Sequence, residues 1–127
     1  QAYGDKLIND PAFARKIAEV ELELSALEYT ELRSLAKEAQ GKGPGPESSL
    51  LKIKGTDLQQ ACTELAMEAV GYYANPHTNE RLGSNFGVGP EYSTNLSGTY
   101  FNYRKTSIYG GSNEIQRNII AKMILGL

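Results

Sequence analysis

The sequence predicts an all-α fold, an up-and-down bundle of four helices that forms a single domain over residues 1–127. Three observations carry that prediction. Two long stretches place apolar residues at alternating spacings of four and three, the pattern of one helical face. Segments rich in glycine and proline separate the helical stretches, and no segment carries a strand signal. A chain of 127 residues suits one compact domain with a core of its own.

The first helix is expected to start at Asp10-Pro11, because Asp caps a helix well and Pro is tolerated at its first position. Phe13, Ile17, Val20, Leu24 and Leu27 then share one face, with Glu19, Glu21, Glu23 and Glu28 largely on the others, so the stripe is read as core. The helix should end near Gln40, where GKGPGPES places three glycines and two prolines. A second helix is expected from Ser48 or Ser49, with Leu51, Gly55, Leu58, Cys62, Leu65 and Ala69 on its inner face and an αL cap at Gly71. Small residues in that stripe would let a neighbouring helix come close. Cys62 is read as one of them rather than as a nucleophile, since no nearby His could activate it.

Residues 72–92 read as one long irregular loop. Gly83, Gly87 and Gly89 lack the spacing of a phosphate cradle, and His77, the single histidine, has no second ligand to complete a metal set. A third helix from Ser93 or Thr94 would put Leu96, Tyr100, Tyr103 and Ser107 on one face. Tyr100, Phe101, Tyr103 and Tyr109 could be core or could line a planar ligand. The fourth helix takes Ser112 as its N-cap and is expected to turn Ile115, Ile119, Ile120 and Met123 inward.

Charge narrows the function classes. Thirteen basic against fifteen acidic residues give a net charge of −2, which offers nothing for general nucleic-acid binding. No apolar run approaches the roughly 20 residues of a membrane span. One cysteine forms no intramolecular disulfide, so a reducing compartment, the cytoplasm, is expected. The opening QAYGDKLIND, without an initiator Met, reads as the interior of a longer chain, and AKMILGL reads as a natural terminus.

The most informative stretch is SIYGGSNEIQRNII, residues 107–120. Two glycines directly before a helix N-terminus allow a sharp turn and let a ligand approach the first free amides closely. Ser112, Asn113 and Glu114 add hydrogen-bonding groups suited to a polar ligand.

IYGGSNEIQRNIIAK, residues 108–122, resembles the signature near the end of acyl-CoA dehydrogenases: Tyr, a variable residue, Gly, Thr or Ser, two variable residues, Ile, Gln, Arg. LAMEAVG (65–71) and AYGDKL (2–7) resemble further segments of that family. The resemblance implies the C-terminal four-helix domain of a flavoenzyme that oxidises an acyl-CoA to the 2,3-enoyl-CoA with FAD. It implies a backbone amide at Gly111 facing the thioester carbonyl, cofactor contacts at Ser112, Asn113, Glu114 and Gly71, the last often reaching a neighbouring subunit's FAD, and homo- or hetero-oligomers that pass electrons to an electron-transfer flavoprotein or similar acceptor. The stretches around residues 74–92, LKIKGTDLQQA and the signature are similar to a branch that includes bacterial large subunits.

One departure bears on the chemistry. In some branches the residue between the signature Tyr and Gly is the catalytic Glu, and here Gly110 occupies that position. A glycine takes no proton, so the resemblance implies a base on an earlier helix outside these residues. The alternative is an assembly subunit that lacks the base. The third helix departs as well, with Phe101-Asn102 where the family usually has Arg-Asp, and the Gln that usually stands opposite Gly71 is missing.

Overall fold

The computed structural model describes residues 6–76 and 89–126, and among them all regular structure is helical. It comprises α1 (Pro11–Ala39), α2 (Glu47–Val70), α3 (Leu96–Tyr103) and α4 (Asn113–Leu125), with single 3-10 turns at Leu7–Asn9, Gly71–Ala74, Glu91–Ser93 and Arg104–Ser107. The expected all-α architecture of four helices is therefore the observed one. His77, Gly83 and Gly87 lie outside the described residues.

The start of α1 forms as the sequence dictates: Asp10 Oδ1 accepts from the Ala12 N–H at 2.8 Å, with Pro11 at the first position. α1 and α2 run antiparallel on either side of the 40–46 loop. Lys16 meets Glu68 at 2.6 Å near one end, Glu23 meets Lys54 at 2.9 Å in between, and Lys37 meets Glu47 beside the loop. Exposed pairs of this kind each contribute little stability and serve mainly to mark register. The expected close approach at the small residues is not observed: a Cβ at Gly55 would meet only Leu27 Cδ2, at an ordinary 4.0 Å, and Cys62 and Ala69 are exposed.

α2 is the hub, packed against α1, α3 and α4. That arrangement corrects the predicted core. Phe13 is buried and Ile17, Val20 and Leu27 are half-buried, but Leu24 is exposed. The buried residues of α2 are Ser49, Ile53 and Thr56; Leu51, Leu58 and Leu65 are half-buried, and Cys62 and Ala69 are exposed. Periodicity identifies residues that share a face, whereas burial needs a neighbour over that face. Here the shared apolar side of α1 and α2 floors an open groove of about 420 Å³, with Val20, Leu58, Ala61 and Leu65 beneath a rim that includes Glu19 and Asp57.

α4 departs in the same way. Ile120 is half-buried, but Ile115, Ile119 and Met123, expected to point inward, are exposed. α4 packs on α2, and the described residues cover its apolar side only in part. Two helix ends also differ. α3 begins at Leu96 after Asn95 in the left-handed region (φ 66°), and its last turn tightens to 3-10 geometry before Ser107. Gly71 takes φ 56°, ψ −128°, which is the mirror image of extended backbone rather than αL and is readily open only to glycine. From there its N–H still donates to the Glu68 and Met67 carbonyls.

Ile53→Ala should therefore cost about 2–4 kcal/mol, whereas Leu24→Ala should cost less than about 0.5 kcal/mol. Urea unfolding at concentrations where the chain is monomeric checks the contrast, and equal losses would restore the sequence-predicted core.

Candidate functional site

One face of α2 carries Lys52, Thr56, Gln60 and Glu64 at spacings of four, so they stack along the helix. Together they bind the segment that leads into α4. Lys52 Nζ donates to Asn113 Oδ1 at 2.7 Å and to the Ser107 carbonyl at 3.3 Å. The Thr56 hydroxyl donates to the Ile53 carbonyl at 2.7 Å and so accepts from Asn113 Nδ2 at 3.2 Å. Gln60 Nε2 reaches the carbonyls of Tyr103 (3.4 Å) and Arg104 (3.3 Å) and Thr106 Oγ1 (3.3 Å), which satisfies acceptors at the end of α3. Glu64 accepts from Arg104 Nη1 at 2.8 Å, and the Arg104 guanidinium lies 4.5 Å from the centre of the Tyr100 ring.

This polar seam contains Thr56, Thr106 and Asn113, three of the most buried side chains described. Sequence reasoning missed it by following apolar spacing alone. The same test applied to polar residues, at 52, 56, 60 and 64, would have found it.

Beyond the seam the chain turns through Gly110 (φ 67°) and Gly111 (φ 81°), both in the region that favours glycine. Ser112 then caps α4, its hydroxyl accepting from the Ile115 N–H at 3.4 Å. Gln116, one turn into α4, folds back so that Nε2 donates to the Gly110 carbonyl at 3.1 Å. The Gly111 N–H has no hydrogen-bond partner among the described residues.

Glu114 completes the turn's electrostatics. Hydrogen bonds from its own backbone N–H and then from the Ser112 hydroxyl, with the positive charges of Arg117 and Lys52 behind them, hold its carboxyl below the ordinary value. The shift favours the ionised carboxylate at the helix N-terminus. Its charge also opposes a phosphate there, so the groups on offer suit a neutral or hydroxylated ligand: a free N–H, a hydroxyl and a carboxylate acceptor.

The predicted site residues do not all converge. Gly110, Gly111, Ser112 and Glu114 share the turn. Asn113 sits with them, but its side chain is held by Lys52 and Thr56, which leaves only its backbone N–H for a ligand. Gly71 lies fifteen residues beyond Thr56 on α2, about 22 Å along the helix at 1.5 Å per residue. One ligand group cannot touch both ends at once. Tyr100 is taken up by Arg104 and by an edge-on contact with Phe101, while Phe101 and Tyr109 remain exposed. Among the described residues no group of three His, Cys, Asp or Glu is placed to hold a metal ion.

Fold and site together define an all-helical domain whose last helix opens on a glycine turn with an unpartnered amide. Residues 1–125 match the family described as acyl-CoA dehydrogenase, C-terminal domain, and the chain belongs to that family. Its members are generally FAD-dependent oxidoreductases. No individual curated protein matches the chain. Among the described residues no helix is long and apolar enough to cross a membrane.

Asn113→Ala removes the nearer of two acceptors of the Lys52 ammonium and should cost about 2–3 kcal/mol, the range for losing a charged hydrogen-bond partner. Asn113→Asp keeps an acceptor for Lys52 and should cost less, as chemical denaturation of the two variants will show. Glu114 supplies a pH test. Because its folded pKa is depressed, its stabilising contribution is present above the unfolded carboxylate value and fades as pH falls through the folded one. Glu114→Gln should therefore flatten part of the stability loss below about pH 4, measured as denaturation midpoints across an acid titration.

Proposed function

We propose that these residues form the C-terminal helical domain of a longer flavin-dependent acyl-CoA dehydrogenase that converts an acyl-CoA to its 2,3-enoyl-CoA. The observation that carries this reading is the free Gly111 N–H, held in a glycine turn inside the stretch that resembles the family signature. An amide donor at a thioester carbonyl stabilises negative charge that develops on oxygen as the α-carbon loses its proton. Glu114 supports a neutral carbonyl over an anion as the occupant, because its carboxylate already complements the helix dipole.

FAD, when bound, accepts the hydride from the β-carbon. Ser112, Glu114 and the Asn113 backbone are proposed to meet its hydroxyl-bearing parts, and Gly71, at the far end of α2, to meet a different portion or a second subunit's cofactor. Gly110 has no side chain and Glu114 belongs to the first turn of α4, so the proposal takes the base from outside these residues. The exposed apolar residues Ile115, Ile119 and Met123 on α4 fit a role in homo- or hetero-oligomer assembly. An electron-transfer flavoprotein or similar acceptor, a cytoplasmic setting and the branch that includes bacterial large subunits complete the proposal.

A second reading is favoured by Gly110 itself: an assembly subunit that contributes cofactor contacts and interface but no base. Full-length protein loaded with FAD separates the two. Reduction of an artificial acceptor with at least one member of a broad acyl-CoA panel supports the enzyme, and silence across the panel supports the assembly subunit. The 127-residue chain alone should bind FAD weakly or not at all, and tight stoichiometric binding in a flavin-fluorescence titration would contradict that.

A further inference from the structure

We infer that α1 pairs antiparallel with α1 of a second copy of this chain, through the face that it turns away from α2. This surface is distinct from the α4 residues assigned to assembly above, and the inference does not depend on the enzymatic reading. Ala18, Leu22, Ser25, Tyr29, Leu32 and Ala36 recur at spacings of four, three, four, three and four, which lines them up along one side of the helix. Phe13, Ile17, Val20 and Leu27, which are buried or half-buried, turn to another side. Every residue of the stripe is exposed, Leu22 at 71%, Tyr29 at 68% and Leu32 at 54%. The stripe extends about 27 Å along the helix axis, at 1.5 Å per residue, and alternating spacings of three and four are those of a seam that packs on another helix.

The order of the residues selects the partner. Taken from either end the stripe begins Ala, Leu, and the two central positions are Ser and Tyr. A two-fold axis at residue 27 therefore lays Ala18 on Ala36 of the second copy, Leu22 on its Leu32 and Ser25 on its Tyr29, with each contact repeated in reverse. That reciprocity defines an isologous interface. The Tyr29 ring then lies over the small Ser25, so large meets small at the centre of the pairing. A parallel pairing would instead set Tyr29 on Tyr29 and Ser25 on Ser25, crowding one layer and leaving a void in the other.

Charges beside the stripe fit the same register. In an antiparallel pair Glu19 faces Arg33 of the second copy and Arg33 faces its Glu19, so two opposite-charge contacts form. Neither residue is in an ion pair among the described residues. Antiparallel helices also place opposite ends of their dipoles together. On the other border Glu28 approaches its own counterpart near the axis, a like-charge contact whose removal should tighten the pair.

Sedimentation of the full-length protein over a concentration series tests this. Arg33→Glu turns two attractive contacts into two repulsive ones and should weaken association about tenfold. Adding Glu19→Arg should restore it to within about threefold of wild type, and Glu28→Gln alone should tighten it. Leu22→Ala should weaken association at least about tenfold and leave the thermal stability of the dissociated protein unchanged. Rescue of Arg33→Glu by Glu28→Arg in place of Glu19→Arg would show parallel helices and overturn the inference. A monomeric wild type, or association that none of these variants alters, would overturn it too. So would a loss of thermal stability in Leu22→Ala that is independent of concentration, because another part of the same chain would then cover the face.

Discussion

The hydrogen bonds that Lys52 and Thr56 make to the Asn113 side chain fix the placement of α4 and, through it, the geometry of the glycine turn. Asn113 is the first residue of α4, and its amide reaches inward to two residues one turn apart on α2. That places the start of α4 at one point on the hub helix and sets its direction as the chain leaves the glycine turn. A buried amide with both ends satisfied rigidifies, whereas one left half-satisfied would cost more than an apolar side chain in the same place. The arrangement also puts a lysine near a helix N-terminus, which the helix dipole opposes. The ionised Glu114 carboxylate, itself stabilised by Lys52, offsets that opposition.

From this anchor the turn inherits its order. Ser107 is held by Lys52 on one side of the glycines and Asn113 on the other, so the intervening residues span fixed ends. Ser112 and Glu114 satisfy the first amides of α4 internally, and Gln116 takes up the Gly110 carbonyl. Among the N–H groups left without a partner is that of Gly111, the amide that the proposed chemistry needs. Under the proposed function the turn supplies no base at position 110, which is glycine.

Much of this fold was legible in the sequence, because its signals are local. Asp10-Pro11 and Ser112 each act on amides within three residues, so they mark the starts of α1 and α4 correctly. The glycines and prolines of residues 41–46 end α1 for equally local reasons. Burial was not legible, since the apolar stripe of α4 and the outer part of the α1–α2 stripe are real faces that the described residues cover only in part. The turn was found through its glycines, but the inward direction of Asn113 and the return of Gln116 depend on α2 and on the path of the turn. A pair such as Thr56 and Asn113, 57 residues apart, leaves no trace in local spacing.

A double-mutant cycle between Lys52 and Asn113 tests the role of this anchor most directly, using Lys52→Met, Asn113→Ala and the pair, with unfolding free energies from urea denaturation. A coupling of about 1–2 kcal/mol is expected, as for contacting residues in one hydrogen-bonded network. Additivity within about 0.3 kcal/mol would contradict it and leave the placement of α4 to contacts other than the seam.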